Sequence, residues 1–171
     1  MKNARDQFTN LYKKEADAVF RFCILRISDR EQAVDLTQEA FLRLWNTLLS
    51  ETEIKNYRAF LFTIARNLII DWYRKKKSIS LDALTDAEDG GFDFPDDSHE
   101  KTTADAEKTQ LLRNLNAIDP LLREAVYLRF VEGLSPQEIA KVLHVSVNAA
   151  SVRISRGIAQ LRERRAYGGE R

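Results

Sequence analysis

Cysteine is nearly missing from this chain: Cys23 stands alone among 171 residues, so no internal disulfide can form. With only His99 and His144 beside it, a structural zinc site built from Cys and His ligands is excluded as well. We read Cys23 as a small hydrophobe packed between helices rather than as a reactive thiol. Proline and glycine are scarce too, at 3 and 6 residues, which argues against many tight turns and leaves long stretches rich in Leu, Ala, Arg, Glu and Lys free to be helical. No run approaches the roughly 18 apolar residues that a membrane span requires. The opening MKNARDQFTNLYKKEADAVF has neither an apolar signal core nor a cleavage site, so a cytoplasmic protein without membrane insertion is expected. A Walker loop, GxSxG and HExxH are all absent, which sets enzymes of those classes aside, and no cofactor is expected.

What is present is charge, unevenly placed. Residues 1–77 hold 15 Lys/Arg against 10 Asp/Glu, residues 78–107 hold 1 against 10, and residues 108–171 hold 11 against 6. Two basic bodies thus flank an acidic strip. Such a division suits bodies that face a polyanion and a strap that must avoid it or run through a positive channel. The strip also carries Gly90, Gly91 and Pro95 without sustained periodicity, as an extended linker would.

The expected class is all-α: two small helical domains, residues 1–77 and 108–171, joined by a flexible linker over 78–107. In the first, apolar residues three and four apart mark helices over Phe8 to Ile27, Arg30 to Leu49 and Ile54 to Lys77, with Ser50 to Glu53 as a loop. Phe41, Leu44, Trp45 and Leu48 form one apolar stripe and Phe60, Ile64, Leu68 and Trp72 another, so the three helices can pack as a bundle. In the second, Leu111, Leu112, Leu115 and Ile118 mark a helix ended by Asp119-Pro120, and Leu121 to Val131 mark a second, ended at Gly133. Ser135, Pro136 and Glu138 spell an N-cap, a first-position proline and a capping box for a third helix, expected to run to Leu143. After a break at His144-Val145, Ser146 caps a last helix to about Arg165. Helix, brief turn and helix in a basic domain is the helix-turn-helix pattern.

Three faces could carry function. On the last helix, Ala150, Ile154, Ile158 and Leu161 must be core, which turns Asn148, Ala149, Val152, Ser155 and Arg156 outward with Arg153 at the edge. Asn can pair with adenine, Arg with guanine or phosphate, and Ala or Val can touch a thymine methyl, although a solvated face would look similar. On the third helix, Arg66, Asn67, Asp71, Arg74 and Lys75 oppose the apolar stripe, and Trp72 and Tyr73 adjoin the run Arg74-Lys75-Lys76-Lys77. Cations beside rings suit distorted or single-stranded nucleic acid. Cations near a helix C-terminus are also favoured by the dipole alone, and an aromatic at that spacing is often core. On the second helix, Asp35, Gln38, Glu39 and Arg43 form a mixed polar face that either docks a protein or is simply solvated.

The strings DLTQEAFLRLW, FLFTIARNLIIDWYRKKK and LLREAVYLRFVEGLSPQEIAKVLHVSVNAASVRISRGIAQLRE occur in the order in which regions 2.2, 2.3 to 2.4 and 4 stand in extracytoplasmic-function (ECF) sigma factors, and the chain resembles that family over nearly all but the linker. The resemblance implies that Asp35, Gln38, Glu39 and Arg43 dock on the β′ clamp helices of core RNA polymerase. It implies that Asn67 captures a base flipped from the −10 element in a pocket completed by the loop Ser50 to Tyr57, that Arg66, Arg74 and Lys75 hold the melting strand's phosphates, and that Tyr57, Arg58 and Asp71 belong to the same −10 and melting surface. Asn148, Ala149, Ser151, Val152, Arg153 and Arg156 would read the −35 element. Region 4 would meet the β flap, the linker would pass toward the RNA exit channel, and an anti-sigma factor would occlude these surfaces. Ser151, Val152 and Ala150 depart from commoner family residues, which shifts expected weight from base readout toward phosphate contacts by Arg153 and Arg156. His144 replaces a common turn glycine.

The function expected is thus non-catalytic: promoter-specific initiation together with core polymerase, using promoter DNA as second partner. Three rivals stand beside it. A dimeric repressor or activator would bind duplex DNA tightly without polymerase. A phosphotransfer enzyme with a helix-turn-helix tail would show convergent titratable groups in its first half, and a protein-binding regulator would keep the fold without promoter recognition.

Overall fold

The computed structural model describes residues 2–79, 110 and 113–167. The acidic strip beyond Ile79, with His99, and the helix positions Leu111 and Leu112 lie outside the described residues. Two compact units divide the chain between residues 91 and 92. Among the described residues the structured elements are all helical: α1 (Lys2–Ile27), α2 (Arg30–Leu49) and α3 (Tyr57–Ile79) in the first unit, and a helical turn at 113–116 followed by α4 (Pro120–Phe130), α5 (Pro136–Leu143) and α6 (Val147–Tyr167) in the second. No helix among the described residues is long and apolar enough to cross a membrane.

In the first unit every pair of helices packs together. Only Ser28 and Asp29 separate α1 from α2; Ser28 takes a left-handed φ of 54°, and Asp29 caps α2 by accepting from the Gln32 amide at 3.1 Å. The core joins Val19, Phe22 and Cys23 of α1 to Ala33, Ala40, Phe41 and Leu44 of α2 and to Leu61, Phe62, Ala65 and Ile69 of α3. Each large side chain sealed in this way contributes about 1.5–3 kcal/mol of apolar burial. Burial pushes the Cys23 thiol up to about 11 against the smaller, opposing effects of a hydrogen bond with Thr37 and of the nearby Arg26 charge, so at neutral pH it is a protonated, packed group.

Three helical expectations need correction. The α3 stripe centred on Phe60, Ile64, Leu68 and Trp72 is one edge of the buried face, whose middle is Leu61, Ala65 and Ile69; Phe60 and Trp72 are only half-buried. Two neighbouring helices press on α3 from different sides, so its apolar surface is wider than one stripe. The start of α3 is Tyr57 rather than Ile54, because Asn56 caps it by accepting from the Ala59 amide at 2.9 Å. Helix α1 begins at Lys2, a turn and a half before Phe8.

In the second unit α4 packs on α6 and both contact α5. Asp119 caps α4 and Pro120 opens it. Buried Arg123 donates to the carbonyls of Asn116 and Ile118 at 2.8 and 2.9 Å, which satisfies backbone acceptors left over where the preceding helical turn ends. Gly133, at φ 70°, makes the turn into α5. Both halves of the capping box form: Glu138 accepts from the Ser135 amide at 2.5 Å and Ser135 accepts from the Glu138 amide at 3.3 Å. His144 ends α5 in the left-handed region at φ 54°, and Ser146 caps α6 by accepting from the Ala149 amide at 3.0 Å.

The close approach of α4 to α6 depends on Gly157. A Cβ built there would stand 2.4 Å from Cγ2 of Val126 and 3.3 Å from the Leu122 carbonyl oxygen. Gly157→Val is therefore expected to destabilise this unit by about 1–3 kcal/mol through overpacking, measured by denaturant unfolding of the full chain; unchanged stability would show that the helices can part at no cost.

Candidate nucleic-acid and protein-docking surfaces

Helix α2 buries Ala33, Thr37, Ala40, Phe41 and Leu44, so its opposite side is presented outward. Asp35, Gln38 and Arg43 are exposed there and Glu39 is half-buried, all within reach of one partner surface. Arg43 Nε donates to Glu39 Oε1 at 2.8 Å, an i,i+4 pair with both side chains well exposed, worth less than about 1 kcal/mol to the fold and easily exchanged for a partner's charges.

Beside this face lies an apolar groove that sequence reading did not single out. Phe8 and Tyr12 of α1 meet Phe41 and Trp45 of α2, with ring centroids 5.3 Å apart for Phe8 and Trp45 and 4.8 Å for Tyr12 and Phe41. Arg5, Thr9, Gln38 and Leu42 complete the lining, and Tyr12 and Leu42 stay exposed. Aromatic pairs at i,i+4 on two neighbouring helices were the signal that could have found it.

On α3, Arg66 and Asn67 are half-buried, whereas Asp71, Arg74 and Lys75 are exposed. Asp71 and Arg74 face each other at 3.8 Å in an open surface pair. Two members of the expected site turn inward. Arg58 reaches Glu15, which is almost fully buried, with Nη1 to Oε2 at 3.3 Å, and its guanidinium lies 5.7 Å from the Phe62 ring centroid. Tyr57 Oη accepts from Gln7 Nε2 at 2.5 Å, so its hydroxyl is tied to α1. The loop between α2 and α3 is itself ordered: Glu51 sits at φ 54°, and the hydroxyls of Ser50 and Thr52 are 2.9 Å apart.

The two rings beside the cationic run are engaged in packing. Trp72 Nε1 donates to Gln32 Oε1 at 3.1 Å, Lys76 Nζ sits 4.9 Å from its ring centroid, and the Tyr73 ring meets it edge-on at 4.9 Å. The Tyr73 hydroxyl donates to the Arg26 carbonyl. A hydrogen-bonded indole is fixed to the α2 start, so its first task is holding α3 in place, in keeping with its spacing on the apolar stripe.

On α6, Ala150, Ile154 and Gly157 are buried and Ile158 and Leu161 half-buried, against α4 and α5. Asn148, Val152, Ser155 and Arg156 are exposed, Ala149, Ser151 and Arg153 half-buried. Arg153 and Arg156 border an open groove between α6 and the start of α4, where Gln160 Oε1 accepts from the Asp119 amide at 3.1 Å. A helix held at a fixed pose by a capped predecessor, with small and amide groups in its first turns and arginines in the next, is the shape that a major groove admits.

Comparison with known proteins adds to this geometry. The family description Sigma-70 region 2 matches residues 11–79, and Sigma-70, region 4 matches residues 108–161. The chain is 33% identical over 142 residues to the ECF RNA polymerase sigma factor BldN of Streptomyces coelicolor, covering 81% of this chain and 52% of that protein, so it spans about half the length of that relative. It is 32% identical to the RNA polymerase sigma factor CarQ of Myxococcus xanthus, covering 94% and 90%. Among solved structures, the sigma factor RpoE bound to the anti-sigma factor NepR from Bartonella quintana superposes with a TM-score of 0.72 at 25% identity, covering 96% and 99%.

Proposed function

The chain belongs to the sigma-70 family, within its extracytoplasmic-function group, and on that premise we propose that it joins core RNA polymerase and directs initiation at specific promoters. In this reading the first unit, residues 1–77, meets the β′ clamp helices through Asp35, Gln38, Glu39 and Arg43, and Gln38 joins that polar face to the apolar groove of Phe8, Tyr12, Phe41 and Trp45. Asn67 holds a flipped −10 base, and Arg66, Arg74 and Lys75 hold phosphates of the opened strand. Tyr57 and Arg58 support the pocket from behind, through Gln7 and Glu15, rather than by touching DNA. The second unit, residues 108–171, reads the −35 element with Asn148, Ala149, Ser151, Val152, Arg153 and Arg156 and meets the β flap. The acidic segment 78–107 spans the interval.

No bond is made or broken by the protein. Binding itself drives strand opening: unstacking a base costs a few kcal/mol, and the pocket together with cationic contacts offsets it. Because two units engage one assembly, neither needs tight DNA affinity alone. Work of this kind belongs in the cytoplasm. Since RpoE of Bartonella quintana is bound by the anti-sigma factor NepR, we extend the same mode of control to this chain: an anti-sigma partner that covers the docking surfaces.

The observation that carries the reading is the capped helix-turn-helix whose exposed Asn148 and Arg156 share one face. Arg156→Ala, assayed in the holoenzyme, is expected to weaken upstream-element binding about tenfold and to lower the salt slope by about 1. No change in either would remove Arg156 from the interface. A gel shift with the chain alone separates the main rival, since tight duplex binding without polymerase would favour a conventional repressor or activator.

A further inference from the structure

Val152 occupies the middle of the outward face of α6. Asn148 lies one turn before it, Arg156 one turn after, and Ser155 at i+3; all three are exposed and polar. Val152 itself is 38% exposed, and the helix buries the opposite side through Ala150, Ile154 and Gly157. Exposure to this degree sets Val152 outside the buried core formed by Ala150 and Ile154 on the same helix. A β-branched side chain also lowers helix propensity slightly, so local structure does not favour it either.

Its position lies in the second turn of α6, behind the N-cap Ser146, near the N-terminal end of the helix that the proposed reading sets in a major groove. Arg153 and Arg156 supply positive charge on the same stretch, so the occupant of this face is a polyanion with an apolar spot at its centre. In the major groove one base offers such a spot, the C5-methyl of thymine. We propose that Val152 is a specificity-determining residue that packs its isopropyl group on a thymine methyl of the upstream element. The inference rests on reading the second unit as the upstream-element binder. It commits this chain to at least one thymine read by contact rather than by hydrogen bonding.

The test uses holoenzyme assembled from the full chain and purified core polymerase, on a promoter selected from random DNA by that holoenzyme. Each upstream thymine is replaced in turn by deoxyuridine, which removes only the methyl. At one position wild type is expected to lose about fourfold in affinity, the worth of one buried methylene-sized group. Val152→Ala holoenzyme is expected to bind thymine and uracil equally there, while Val152→Thr keeps part of the preference through its remaining methyl. Val152 is exposed, so these variants leave the fold intact, which thermal unfolding checks. No deoxyuridine effect in wild type, or an equal effect in Val152→Ala, overturns the inference while Arg156→Ala still weakens the element. If wild type shows no upstream-element dependence at all, the underlying reading fails and the inference with it.

Discussion

Asn67→Ala is expected to cut open-complex formation on a double-stranded promoter by about tenfold or more while leaving association with core polymerase nearly unchanged. The side chain is half-buried on α3, a turn before exposed Asp71 and close in sequence to Arg66 and Arg74. Losing hydrogen bonds to an extruded base removes about 1.5–3 kcal/mol of the term that offsets unstacking, and each 1.4 kcal/mol is a factor of ten. A template already mismatched over the −10 element does not need that term. Activity on it should therefore be restored toward wild type, and permanganate footprinting on both templates reads the difference. Equal impairment on duplex and pre-melted DNA would mean that Asn67 serves folding or docking instead.

A second large effect is expected from reversing charge on α2. Asp35→Arg combined with Glu39→Arg should weaken binding to core polymerase by about a hundredfold, because the partner's cations would then meet like charge in a desolvated contact. Stability should hardly move: Asp35 is exposed, and Glu39 pairs with Arg43 in an open surface contact. Competition for core polymerase against the wild-type chain measures the first, and denaturant unfolding the second. Unaltered competition would move the docking surface elsewhere, and the aromatic groove beside Gln38 would then be the place to look.

The second unit was the more legible from sequence because its boundaries are written in local chemistry. Ser135-Pro136-Gln137-Glu138 specifies a helix start through backbone hydrogen bonds within four residues, and it forms as expected. His144 in the left-handed region follows from the same short-range geometry. Gly157 was not legible as a packing residue, since its role depends on Val126 and Leu122 some 30 positions earlier, a separation that periodicity does not sense.

In the first unit the helices were visible, yet the use of individual side chains was not. Arg58 and Tyr57 look like DNA ligands in a string and prove to be tied inward, because Glu15 and Gln7 come from α1, about 40 and 50 residues away. Trp72 and Tyr73 likewise sit next to a cationic run, but their polar atoms reach Gln32 and Arg26 across the bundle. Charge pattern indicates that a surface faces a polyanion; tertiary hydrogen bonds decide which members of it remain available.

The most direct measurement is run-off transcription with purified core polymerase, with and without this chain, on the promoter that the pair selects. Stable association and a transcript that starts at one defined site, absent with core polymerase alone, is the expected result. Failure to associate, or association that never yields initiation at any site, would contradict the claim that these two helical units act as one promoter-recognition subunit.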